Sequence, residues 1–156
     1  MRLVDVELAR HDWGSLPVAG DRAAATPRSL VGLLSAHTEE DADRYYWRLE
    51  NVVVVQGGLY EAAPAVVSVL LAGLAGRLSE PAEEWVLELL FQLVAGESSA
   101  EAVDRGHPDL GDRCRRVARE GLWLLYSELG GPRGRAVRAV LERVDEVSDR
   151  LTALDA

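Results

Sequence analysis

From Thr26 to Leu154 apolar side chains return every three or four positions, in runs of roughly 12 to 20 residues bounded by glycine and proline. That period suits amphipathic helices and leaves almost no room for a sheet. Only Val52–Val55 carries strand propensity, as a short strand competing with the end of a helix.

The breaks set the element order. Residues 1–25 read as an N-terminal arm with a short helix around Val4–Arg10, and residues 26–156 as a single helical-repeat domain. Thr26-Pro27 is a helix start, an oxygen cap before a proline at the first position, with Leu30, Leu33 and Leu34 following. Thr38 with Asp41 resembles a capping box ahead of Ala42, Tyr45, Tyr46, Leu49, Val52 and Val53, which share one helix face. Gly57-Gly58 ends that element. From Leu59 to Leu74 the chain is apolar nearly all round, as in a buried central helix, with Pro64 tolerable only in its first turn.

Ser79-Glu80-Pro81 opens the next helix, and its two adjoining stripes, Val86, Leu89, Leu93 and Leu87, Phe91, Val94, predict packing on two sides before Gly96 stops it. A short helical turn follows Ser99. Asp112 is expected to cap a helix running to Leu129, and Gly130-Gly131-Pro132 to end it. The last helix is expected over Arg135–Leu154 with an i,i+4 pair between Glu146 and Arg150.

The expected fold is therefore all-α, made of stacked antiparallel helix pairs as in a short HEAT-like α-solenoid, with a compact helical bundle as the alternative. The helix packed on two sides favours the solenoid, since an inner helix must touch its own partner and the next pair. A chain of 156 residues can bury roughly two thirds of its unfolded surface without metal or disulfide.

Composition narrows function by exclusion. The net charge of -9 disfavours nucleic acid and anionic membrane as partners. The single Cys114 and a start carrying Arg2, Asp5 and Glu7 fit a reducing cytoplasm. All basic residues are arginine, the mark of a GC-rich, bacterial genome. His11, His37 and His107 have no partner at ligand spacing, so neither a metal site nor a cofactor is expected, and no phosphate loop, Gly-x-Ser-x-Gly or His-Glu-x-x-His is present.

The segment VVVQGGLYEAAPAVVSVLL, residues 53–71, resembles the helix-turn-helix joint of HEAT-like (armadillo-type) repeat proteins of high-GC bacteria through Gln56, Gly57, Tyr60, Ala62, Ala63, Val66, Val69, Leu70 and Leu71. The resemblance implies protein binding on a helical scaffold and no catalytic residues. Small acidic members look like immunity proteins that neutralise a cognate toxin.

Charge segregation points the same way. Residues 78–104 hold six glutamates and Asp104 and no basic residue. Glu80, Glu84 and Glu88, spaced i,i+4, form one ridge, and Glu39, Glu40, Asp41 and Asp43 form a second cluster at a helix start. These seven are the candidate contacts for a basic protein, or else a solvated face with carboxylates at helix N-termini. Arg113, Arg115, Arg116, Arg119, Arg133, Arg135 and Arg138 could neutralise them internally or support a homodimer. A second candidate set, Glu50, Asn51, Tyr60 and Glu61, would suit a small acid-base enzyme or ligand pocket, or a hydrogen-bonded plug at a helical joint. Trp85 and Trp123 sit at the margins of their stripes, and Cys114 on an inner stripe as an inert thiol.

Overall fold

The computed structural model describes residues 1–156. Ten helices form: α1 (Leu3–Ala9), α2 (Thr26–Leu34), α3 (Glu39–Trp47), α4 (Ala63–Ala75), α5 (Glu80–Ala95), α6 (Ala100–Asp104), α7 (Leu110–Arg119), α8 (Leu122–Glu128), α9 (Gly134–Val144) and α10 (Asp149–Leu154). Three two-residue strands, β1 (Val54–Val55), β2 (Gly58–Leu59) and β3 (Glu97–Ser98), interrupt them. The chain is mostly helical, as expected.

α4 and α5 are the centre. Nine of the thirteen α4 residues are buried, which requires neighbours on every side, and α1, α2, α5 and α7 supply them. α5 packs on α2, α3, α4, α7 and α9, so both of its apolar stripes are covered. Its start is fixed by Ser79, whose hydroxyl accepts from the Ala82 amide at 3.2 Å and donates to the Ala36 carbonyl, tying α5 to the end of α2. Thr38 caps α3 through the Asp41 amide at 3.1 Å, whereas Thr26 lies inside α2 and caps nothing. No helix is long and apolar enough to cross a membrane.

Further expectations are corrected. α3 ends at Trp47 rather than Val53, because the chain turns through residues 48–53 and enters the β1–β2 hairpin. Gln56 (φ 50°) and Gly57 (φ 81°) supply the two left-handed positions that a tight hairpin of matching twist demands. The strand alternative at the end of Val52–Val55 is thus the one realised. β3 then adds parallel to β2, and the chain makes this possible by placing Gly96 where its own position meets the Gly57 carbonyl: a Cβ there would lie 2.9 Å from that oxygen.

Asp112 does not cap the next helix. α7 begins at Leu110, whose amide donates to the Ser98 hydroxyl at 3.0 Å, so the cap comes from β3, and Asp112 pairs with Arg115 at 2.8 Å in the first turn. The expected helix to Leu129 is broken at Gly121, which packs against the Leu71 side chain, and the expected Arg135–Leu154 helix is broken at residues 145–148. Glu146 pairs with Arg119 at 3.0 Å and Arg150 with Asp145 at 2.8 Å, so the Glu146–Arg150 pair is not formed. Residues 1–25 are held by the core through buried Trp13 and Val18, with the Trp13 indole donating to the Leu8 carbonyl at 2.8 Å.

Candidate functional site

The two acidic clusters, separated by some forty residues of chain, lie on helices that pack together. α3 carries Glu39–Asp43 and α5 carries Glu80, Glu84 and Glu88, and aromatic side chains join them. The Trp85 indole donates to the Glu39 carboxylate at 2.8 Å, and its ring lies 4.6 Å from that of Tyr46. Trp47 meets Tyr46 edge-on at 5.1 Å, donates to Asp43 at 3.2 Å and is 48% exposed. Beneath the carboxylates runs a groove of about 690 Å³, lined by Tyr46, Trp47 and Glu50 from the α3 side, Glu84, Trp85, Glu88 and Gln92 from α5, and Arg133 and Arg135 from the start of α9.

Charge within this groove is unevenly matched. Arg133 takes Glu84 at 3.6 Å. Glu88 accepts only from Gln92, at 3.0 Å, and has no ion pair. Glu50 has one carboxylate oxygen buried without any hydrogen-bond partner, and burial together with the neighbouring Glu88 holds its carboxyl above the ordinary glutamate value. Burial, then Glu50 and Glu88, likewise push the Tyr46 phenol upward. Of the seven expected partner contacts only Asp41 and Glu84 are ion-paired, Asp41 with Arg44 of its own helix. Of the α7 arginines, Arg115 pairs with Glu97 and Asp112 and Arg119 with Glu146, while Arg113 and Arg116 have no ion pair.

The second candidate set is not brought together. Glu50 lines the groove above, Asn51 is exposed, and Tyr60 and Glu61 lie on the hairpin side of the molecule. Tyr60 is buried, and burial with the nearby Glu101 raises its phenol. Glu61 is 6% exposed and accepts from the Nε and Nη2 of Arg105, at 2.6 and 2.9 Å, which hold its carboxyl below the ordinary glutamate range. A carboxylate fixed as an ion in this way locks α6 to the start of α4. A depressed folded pKa contributes stability that is full above the unfolded value and is lost as pH falls through the folded one. Arg105→Gln is therefore expected to lower the urea midpoint clearly at pH 7 and by progressively less as pH falls below the unfolded glutamate value and through the folded one; a deficit that stays equal across that acid range would separate the pair from stability.

Cys114 is buried and its thiol is pushed up to about 12 by that burial, so it is inert, and no cluster of histidine, cysteine and carboxylates forms a metal site. What sequence reading missed is Trp85 as part of a site and the reach of Arg133 and Arg135 into it. Residues 85, 88 and 92 share one face of α5, and 46, 47 and 50 share the turns that face it, so helical spacing held the signal; the side of α9 that joins them is set by tertiary packing alone. Neither a family model nor a curated protein nor a solved structure matches this chain.

Proposed function

We propose that the chain is a protein-binding helical module whose α3–α5 face covers a basic surface on its partner, neutralisation of a cognate toxin being the most concrete form. The observation that supports this most is the convergence of two acidic clusters on packed helices with five of seven carboxylates lacking an ion pair. Unpaired like charges on one face cost stability through repulsion, and an opposite surface relieves it while steering encounter. The layering α2/α3, α4/α5, α7/α9, in which the middle pair contacts both others, supports a short stack of helix pairs as the scaffold.

The test is capture of a partner from the source organism at low and high salt, against the triple variant Glu80→Arg, Glu84→Arg, Glu88→Arg. All three residues are exposed, so folding should survive. Affinity for the captured protein is expected to fall at least tenfold in the variant, about 1.4 kcal/mol, and to weaken with salt because exposed charges are screened over about 8 Å at physiological ionic strength. Binding indifferent to both removes the acidic face.

A further inference from the structure

The groove between α3, α5 and the start of α9 combines three things that a merely solvated acidic surface lacks. Its volume of about 690 Å³ falls within the roughly 300–1,000 Å³ of small-ligand and peptide sites. Its floor is aromatic, with Tyr46 and Trp85 in contact and Trp47 half-exposed at the rim. One oxygen of Glu50 is withdrawn from water without a hydrogen-bond donor, a state that costs free energy until a donor arrives. Glu88 stands near enough to Glu50 to raise its carboxyl, so a single cation seated between them would relieve both.

We propose that this groove is a slot for one arginine side chain of the protein partner, its guanidinium bonded to Glu50 and Glu88 and stacked on Trp47 and Trp85. The inference rests on the reading of the α3–α5 face as a surface for a basic partner, and names its anchoring contact. Guanidinium fits better than ammonium: it is planar, weakly hydrated, offers paired donors to a carboxylate and stacks on aromatic faces. Arg135 lines the same groove with no carboxylate partner and opposes a second cation inside it, so the slot takes one arginine side chain and not two. The exposed carboxylates of Glu39, Glu40, Asp43 and Glu80 then meet the wider basic surface around it.

The probe is acetyl-arginine amide, with acetyl-citrulline amide as its neutral isostere, titrated into the full chain while the indole N–H resonances of Trp47 and Trp85 are followed. Saturable shifts with a Kd on the order of 1–10 mM are expected for arginine and none for citrulline. Trp47→Ala and Glu50→Gln, checked for unchanged helicity, should each raise that Kd at least threefold. Equal binding of citrulline, or both variants binding like the parent, overturns the slot. If partner capture keeps its dependence on salt and on Glu80, Glu84 and Glu88 while arginine amide does not bind, the slot falls and the acidic face stands. If arginine amide binds while capture ignores charge, the groove takes a guanidinium that the captured protein does not supply, and both the acidic face and the partner assignment fall. A concentration-dependent dimer that arginine amide dissociates would assign the groove to a second copy and overturn the partner assignment.

Discussion

Leu89→Ala should lower the unfolding free energy by about 3–5 kcal/mol, among the largest effects of any single truncation in this chain. Leu89 is fully buried in α5, the helix on which α2, α3, α4, α7 and α9 all pack. With support from five elements the surroundings cannot collapse into the space left behind, so both the lost transfer energy and most of the cavity term remain. Against a total of roughly 5–15 kcal/mol for a domain of this kind, the variant would sit near the edge of folding, with a melting temperature lower by on the order of 10 °C. Leu154→Ala serves as the control, since that side chain is 60% exposed and its loss should change little. Chemical denaturation of the two variants decides the matter. A cost under about 1 kcal/mol at Leu89 would mean that α5 is not the packed centre of the fold.

That α5 packs on two sides could be read from its residues because the information is local. Two stripes separated by about one hundred degrees cannot both be satisfied by one neighbour, and Ser79 with Pro81 marks the start. The same holds for Thr38 and for Pro64, which falls in the first turn of α4 where its missing amide proton is harmless. What escaped depends on contacts between distant segments. Ser98 caps α7 from a strand whose existence hinges on β2 reaching it, and nothing in residues 96–99 alone distinguishes that from a loop. Gly121 breaks a run whose periodicity is unbroken, because Leu71 of α4 occupies the space beside it.

The candidate site divides along the same line. That Glu80, Glu84 and Glu88 form a ridge follows from spacing, and so does the cluster at Glu39–Asp43. That the two ridges flank one aromatic groove does not, since it requires α3 to pack on α5 with Tyr46 and Trp85 between them. Glu50 and Glu61 illustrate the reverse error: eleven residues apart across an expected helical joint, they read as one polar cluster, but the Gln56-Gly57 hairpin directs them to different faces.

Asp145→Ala is the other substitution expected to cost about 3–4 kcal/mol, and here the loss is polar. The Asp145 side chain is 4% exposed and accepts three hydrogen bonds, from the Tyr126 hydroxyl at 2.6 Å, the Val147 amide at 2.9 Å and Arg150 at 2.8 Å. Those bonds fasten α8, the turn after α9 and the start of α10 to a single carboxylate. Burial by itself would raise the Asp145 carboxyl; the donations from Tyr126, Val147 and Arg150 outweigh it and leave it below the ordinary aspartate value. The carboxylate therefore stabilises the fold fully above the unfolded value of about 3.9, and this contribution is lost as pH falls through the folded value. Asp145→Asn, which keeps the shape and removes the charge, should show an intermediate deficit at pH 7 that narrows from about pH 4 downward, measured by urea unfolding across pH 3–7. A deficit that stays constant over that range would show that shape rather than charge makes the latch. In the alanine variant α10 should lose hydrogen-exchange protection first, because Leu151 is its one buried residue and cannot hold the helix without Arg150 anchored beside it.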